Sequence, residues 1–334
     1  MSIEYPNVKN ISTSLSFVDY LHALKVRWGI SRMSYIVEPG LYRIGAANSE
    51  SPVFVSANYK LTFDTLRKNL KDIDGWLLIL DTDGINVWCA AGKGTFGTDE
   101  LINRIERSEL SKYVSHKKLI LPQLGATGVS AHEVKRRSEY DIEYGPVRAT
   151  DIKAYIAAGN IVTKEMRMVE FTLWDRVILT PMELLPALKY SLPVLGVILA
   201  TEALLKVPFN KSEVPLGIGA VASGTVLTPI LLPYIPGRSF ALKGWITSFI
   251  TTTGILGLLG RFKKKNITSI TGSLLMYPAL ASYLALNFTG SSTYTSPSGV
   301  NKEMKKALPL IGSSAAIGAA ITIGIRLLGR SKKR

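Results

Sequence analysis

The residue of this chain best suited to chemistry is Cys89, the only cysteine among 334 residues. It stands in the segment Asn86-Val87-Trp88-Cys89-Ala90-Ala91-Gly92-Lys93, where the three residues after it have almost no side-chain bulk. A thiolate is a strong ligand for a soft or borderline metal, and Ala90, Ala91 and Gly92 leave room beside it for a large flat group. A lone cysteine after an apolar strand is ordinarily a small core hydrophobe, so its neighbours must decide between ligand and packing. Gly92-Lys93 also suggests a phosphate-binding loop. That reading fails on spacing, because Val87 stands where the first glycine is needed and Gly94 where Ser or Thr is needed. A disulfide needs two cysteines and a thiolate-held iron–sulfur cluster normally four, so neither is expected within this chain.

The elements that must position Cys89 follow from the apolar pattern. Trp76 to Leu80 is a continuous apolar run and reads as a central strand buried on both faces. Cys89 therefore falls just past a strand end, where open α/β sheets bind ligands. Ser34 to Ile44 and Pro52 to Ser56 read as extended, and Leu61 to Lys71 has helical spacing. Thr98-Asp99-Glu100 supplies an N-cap and first-turn acids for a helix to Arg107. Lys118 to Leu121 and Asp141 to Tyr144 are further strands. Ser130-Ala131-His132-Glu133 is a capping box, and Thr150-Asp151 caps Ile152 to Ala158. This alternation predicts a doubly wound, mostly parallel, Rossmann-like α/β domain over residues 1–165.

The second half has another character. Hydrophobic residues make up 47% of the chain, and its net charge is +15. Residues 1–185 carry a net charge of only +1, whereas residues 186–334 hold 17 Lys and Arg against 3 acids. The excess lies in short runs between apolar segments: Arg261 to Lys265, Lys302 to Lys306, and Arg326 to Arg334. Such runs suit the flanks of membrane spans and a lipid surface rather than nucleic acid. Segments 186–205, 214–236, 240–260, 267–288 and 307–325 each approach the length that crosses a hydrocarbon core. They predict an all-α transmembrane bundle of about five helices over residues 186–334, joined to the first domain by a linker over 166–185. Pro181 and Pro186 suggest that an interfacial stretch from Phe171 leads into the first span. Gly312, Ala316, Ala320 and Gly324 form a small-residue face suited to close helix contact. Met1 to Pro6 lacks the pattern of a secretory signal, which leaves the first domain in the cytoplasm. Five spans would then put two basic runs outside, against the positive-inside preference.

Asn86 to Lys93, continuing into Gly94-Thr95-Phe96-Gly97-Thr98, resembles the cap-helix signature of the HgcA family of mercury-methylating corrinoid proteins, relatives of the corrinoid iron–sulfur protein of the acetyl-CoA pathway. The likeness extends to Leu121-Pro122-Gln123-Leu124-Gly125-Ala126 and Tyr144-Gly145-Pro146-Val147-Arg148-Ala149. The resemblance implies a cobalamin-type corrinoid bound with its own base detached from cobalt, and Cys89 as lower axial ligand. It implies cofactor contacts from Asn86, Val87, Trp88, Cys89, Ala90, Ala91, Gly92, Lys93, Gly94, Thr95, Gln123, Gly125, Ala126, Gly145 and Arg148. The Asp-x-His-x-x-Gly pattern of many cobalamin proteins is absent, and His22, His116 and His132 have surface or capping contexts.

A donating thiolate opposite a methyl group favours its departure as a carbanion equivalent, the form that an electrophile such as Hg(II) accepts. The implied activity is corrinoid-dependent methyl transfer to Hg(II), forming methylmercury. The alternative is a membrane-bound methyl carrier of one-carbon metabolism. The resemblance also implies a ferredoxin-like partner with two [4Fe–4S] clusters, a methyl donor protein or methyltetrahydrofolate-type donor, and a multi-pass position in the cytoplasmic (inner) membrane. Asn86 can fix the strand-to-helix turn through its amide, and burial against the sheet is the first expectation for Trp88. Lys93 can meet a corrin propionamide or remain solvated. Gly125, Ala126 and Gly128 form a permissive loop for the cofactor's nucleotide tail or an ordinary glycine turn.

Overall fold

A computed structural model describes residues 8–204, 211–263 and 267–331. Met1 to Pro6, Lys264, Lys265 and Lys332 to Arg334 lie outside these residues. The side chains of Arg326 and Arg330 are likewise outside the description. The chain divides into two units, one of residues 1–26 and 30–169 and one of residues 27–29 and 170–334.

The first unit is built on a six-stranded sheet. Its strands are β1 (Lys9–Ile11), β2 (Gly40–Ile44), β3 (Val53–Ala57), β4 (Gly75–Leu80), β5 (Lys118–Pro122) and β6 (Asp141–Gly145). They lie side by side in the order β1-β2-β4-β3-β5-β6. Every pairing is parallel except β2 with β4, where Tyr42 faces Leu77 in antiparallel register. The sheet is therefore mixed. The turn after β2 needs Gly45, at φ 61°, because a Cβ there would lie 2.0 Å from the Asp74 carboxylate.

All six residues of β4 are buried. Trp76, Leu78 and Leu80 share one apolar layer with Val53, Val55, Leu119 and Leu121. Leu77 and Ile79 enter the opposite layer with Phe54 and Ile120. The first layer is closed by α3 (Val87–Lys93), α4 (Thr98–Arg107) and α5 (Ala131–Ser138), through residues such as Val87, Ala90, Leu101 and Val134. The second is closed by α2 (Lys60–Asn69) and α6 (Ile152–Ala157), through Phe63, Leu66, Ile152 and Tyr155. A strand with no polar side chain can sit only where both faces are covered, and this arrangement supplies both covers.

Local chemistry differs from expectation at several ends. Gly97, rather than Thr98, is the N-cap of α4, and the Thr98 hydroxyl accepts a hydrogen bond from Ser130 N at 2.9 Å. Ser130 caps α5 by position alone, because its hydroxyl meets His132 and Glu133 pairs with Arg136. The capping box is thus not formed. Asp151 makes no side-chain cap to α6, which is preceded by a 3-10 turn over Ala149–Asp151. Only Gly40–Ile44 of the expected 34–44 extension is strand, since Arg32–Ser34 is a 3-10 turn.

The helix α1 (Phe17–Arg27) has no counterpart in the sequence reading. It is pinned to α2 by ionic contacts. Asp19 accepts from Lys60 Nζ at 2.9 Å and from Arg67 Nη2 at 3.0 Å, and Arg67 also meets Asp64 and the carbonyls of Ser12 and Ser14. Burial pushes the Asp19 carboxyl up, but Lys60 and the backbone and hydroxyl of Ser16 outweigh it and hold it well below the usual carboxylate range.

The second unit is helical. It comprises α7 (Leu173–Leu204), α8 (Glu213–Ala222), a π-helical turn over Ser223–Leu227, α9 (Thr228–Leu231), α10 (Phe240–Leu258), α11 (Ile267–Asn287) and α12 (Pro297–Ser331). Three segments among the described residues are long and apolar enough to cross a membrane: Glu213–Leu231, Ile267–Ser291 and Ser298–Ile325. They take up three of the five expected spans. The 240–260 segment is a helix that carries Lys243 and five Ser or Thr residues and is not among them. The 186–205 segment, as far as Leu204, belongs to α7 (Leu173–Leu204), which continues through Pro181 and Pro186. Most side chains over 190–202 lie outside the description.

The small-residue contact of α12 is also displaced. Gly318 is the buried residue, and a Cβ on it would lie 2.7 Å from the backbone N of Met276 in α11. Gly312 and Gly324 have no such neighbour. Ser314, one turn earlier than Gly318, donates to the carbonyl of Leu275 at 2.9 Å.

Candidate functional site

The link from β4 to α3 is organised by a side chain that sequence reasoning missed. Asn58, which directly follows β3 and is 2% exposed, accepts with Oδ1 from Thr82 N at 3.1 Å, from the Thr82 hydroxyl at 2.8 Å and from Gly84 N at 3.0 Å. Its Nδ2 donates to Asp81 at 3.2 Å. One amide thereby satisfies a buried turn that has no regular pairing. An Asn at the end of a parallel strand, followed by a helix, was the available signal. Asn58→Ala leaves the two turn N–H groups without their acceptor, and thermal or denaturant unfolding should register a loss of about 2–4 kcal/mol.

Asn86 then caps α3, its Oδ1 accepting from Cys89 N at 2.9 Å, as its position suggested. The helix ends at Gly94, whose φ of 87° suits glycine. Val87, Ala90 and Ala91 face the core, while Trp88, Cys89, Gly92 and Lys93 are exposed. Two expectations are corrected here. The alanines pack inward and do not flank the thiol, because helical geometry sets 90 and 91 on the face with 87. The open side comes from Gly92 and Gly94, where an added Cβ would meet nothing within 4 Å. Trp88 is not buried against the sheet but 46% exposed.

The glycines of the 125–128 loop serve the protein's own packing. A Cβ on Gly125 would lie 2.6 Å from the Phe96 ring, and one on Gly128 would lie 2.1 Å from the Phe96 carbonyl oxygen and 3.0 Å from Ala91 Cα. The loop seats α3 and the turn after it, with the Phe96 ring against Gly125 and the Phe96 and Ala91 backbone against Gly128. Gln123 Oε1 lies 3.4 Å from Arg167 Nη1, Ala126 closes a 3-10 turn, and Arg148 is half-buried before the turn at Ala149.

A cavity of about 400 Å³ opens at the carboxyl ends of β3, β5 and β6. Its walls include Tyr59, Thr62, Asn86, Trp88, Leu124, Gly145 and Ile152. Gly145 and residues 86–88 are thus brought together. Cys89, Gly92 and Lys93 lie on the outer face of the same helix, and Gln123 and Arg148 are not in the cavity wall. Burial and the carboxylate of Glu143 push the Tyr155 hydroxyl, behind Gly145, up to about 12, so it stays protonated at neutral pH.

The residues fit a corrinoid on three observations. The sole thiol is exposed on a helix with an open face, an apolar cavity adjoins that helix at the strand ends, and the Thr95 hydroxyl oxygen is buried without a hydrogen-bond partner. Among the described residues no three His, Cys, Asp or Glu side chains are grouped to hold a metal ion.

Residues 18–155 match the family of the CO dehydrogenase/acetyl-CoA synthase delta subunit. This region is homologous to acetyl-CoA decarbonylase/synthase gamma subunits and to a corrinoid/iron-sulfur protein large subunit. The acetyl-CoA decarbonylase/synthase complex subunit gamma of Methanopyrus kandleri is 32% identical over 131 residues, 39% of this chain and 28% of the relative. That of Archaeoglobus fulgidus is 31% identical over 122 residues, 36% and 26% of the two chains. The corrinoid/iron-sulfur protein large subunit of Moorella thermoacetica is 31% identical over 125 residues, 37% and 28%. The chain spans little more than a quarter of these relatives, and the helical second unit lies outside the family match.

Proposed function

We propose that this chain is a membrane-anchored corrinoid methyl carrier in which Cys89 is the lower axial ligand of cobalt and Hg(II) is the methyl acceptor. The observation that carries the reading is the exposed, solitary thiol on α3, a helix whose Asn86, Val87 and Trp88 line the cavity at the strand ends of a domain whose relatives include a corrinoid/iron-sulfur protein. When bound, the corrinoid supplies a cobalt centre that accepts and releases a methyl group. Asn86 holds the turn that carries Cys89, and the thiolate donates electron density to the metal. Gly92, Gly94 and Thr95 permit close approach of the macrocycle, with Lys93 at its edge. Trp88 and the cavity wall around Gly145 would supply an apolar surface for part of the cofactor. Gln123, Gly125, Ala126 and Arg148 support that wall. A ferredoxin-like protein with two [4Fe–4S] clusters returns electrons, and a methyltetrahydrofolate-type donor supplies the methyl group. The three apolar helices set the unit at the cytoplasmic membrane.

The second reading, a methyl carrier in acetyl-CoA metabolism, is favoured by the names of the relatives, which are subunits of acetyl-CoA decarbonylase/synthase complexes. The two readings share the cofactor and differ in the acceptor. Purified chain loaded with methylated corrinoid and given Hg(II) should release methylmercury in a single turnover. Release only to an acetyl-CoA synthase partner, with none to Hg(II), would establish the second reading. A purified protein with no corrinoid absorption would remove both.

A further inference from the structure

Most amphipathic helices of soluble domains bury the apolar face and expose the polar one. Helix α1 instead leaves most of its large apolar residues exposed. Its one carboxylate, Asp19, is turned into the ionic cluster with Lys60 and Arg67, and Val26 is buried. Phe17, Tyr20, Leu21 and Leu24, at helical spacing, are all 40% exposed or more, Phe17 reaching 80%. The stripe is held firmly, since Asp19 fixes the helix from its inner side. Ile30 and Met33 extend the exposed apolar residues of the same unit. So much fixed, outward apolar surface marks an interaction site.

We infer that α1 lies in the headgroup region of the bilayer that the second unit enters, with Phe17, Tyr20, Leu21 and Leu24 among the lipids. The inference rests on the membrane reading of the three apolar helices. The charge around the stripe favours an anionic surface over a neutral or basic one, and among anionic surfaces the apolar helices of the second unit favour a bilayer. Lys25 is exposed on the helix, Lys68 stands with its ammonium 5.5 Å from the centre of the Tyr20 ring, and the one acid of α1 is already paired. Aromatic residues beside lysines match the interfacial zone of an anionic leaflet. The helices that follow keep this unit near the surface, so a weak contact is occupied through tethering.

The test uses full-length protein in nanodiscs of mixed phosphatidylglycerol and phosphatidylcholine. Leu24→Cys or Arg136→Cys is introduced on a Cys89→Ser background and labelled with an environment-sensitive fluorophore. The label at position 24 should be quenched by lipid-borne nitroxide and shielded from iodide, while the label at 136, on exposed α5, should show the opposite. Lys25→Gln or loss of the anionic lipid should each reduce the docked fraction, by about fivefold per lysine in the docking equilibrium. Iodide access at 24 equal to that at 136 would overturn the inference. So would shielding without lipid quenching, which would mark a protein contact. Co-migration of the chain with the discs reports separately on the membrane reading, so failure of that reading is distinguished from failure of the docking.

Discussion

Cys89→Ala should leave the protein folded and loaded with corrinoid while abolishing methyl transfer to Hg(II). The thiol is exposed, so removing it opens no core cavity, and the stability change should stay within about 0.5 kcal/mol. The Asn86 cap bonds to the backbone N of residue 89, not to its side chain, and survives the substitution. The cavity wall is equally untouched, because Cys89 does not contribute to it. On the proposed reading, what disappears is the donating ligand, and with it the electronic bias toward a carbanion-like methyl group. The visible spectrum of the bound corrinoid should shift, and methylmercury formation should fall by about a hundredfold or more, the scale of losing a group that acts in the transition state. An unshifted spectrum with full methylation would exclude Cys89 as ligand.

Gly128→Ala should damage the site from the other side, by displacing the helix instead of the thiol. The added methyl would lie 2.1 Å from a carbonyl oxygen and 3.0 Å from Ala91 Cα, and both obstacles are backbone that cannot rotate away. Either the loop or α3 must move. We expect a loss of about 2–4 kcal/mol in unfolding free energy and markedly weaker retention of corrinoid on gel filtration. Gly92→Ala provides the contrast, because its Cβ enters open space and helix propensity favours alanine. Stability should not fall there, so any loss of corrinoid at Gly92 reports on the open face alone.

Much of this arrangement is legible in the sequence because its signals are local. The run Trp76 to Leu80 has no polar side chain and had to be a doubly covered strand, and the Asn86 cap is written in the residues beside it. The positions of β3, β5, β6, α2 and α4 follow for the same reason. What was not legible depends on partners far along the chain. Helix α1 shows no inward apolar stripe, since it is secured by ions, and its Asp19 finds Lys60 and Arg67 more than forty residues away. The antiparallel insertion of β2 is set by register, which periodicity does not encode. The sequence left the 125–128 loop open between a nucleotide contact and an ordinary glycine turn, because a glycine signals only that something comes close; the packing partners Phe96 and Ala91 are visible only in the fold. In the second unit Gly318, rather than the more regular set at Gly312 and Gly324, meets α11, and only packing distinguishes the two faces.

Helix α10 owes its modest apolarity to hydroxyls with a specific destination. Thr247 meets Thr228 at 2.6 Å, and Thr251 meets Ser223 at 2.7 Å, across to the segment that includes the π-helical turn. Each pair removes two polar groups from contact with the surroundings at once. A helix that scores poorly alone can thus enter an apolar phase as half of a hairpin, with its neighbour Glu213–Leu231 as the other half. On the proposed membrane reading the order of events during insertion is then constrained: the two segments must find each other before either can be fully surrounded by lipid. In this bundle the unit of membrane solubility is the pair of helices, and the hydropathy of single segments understates it.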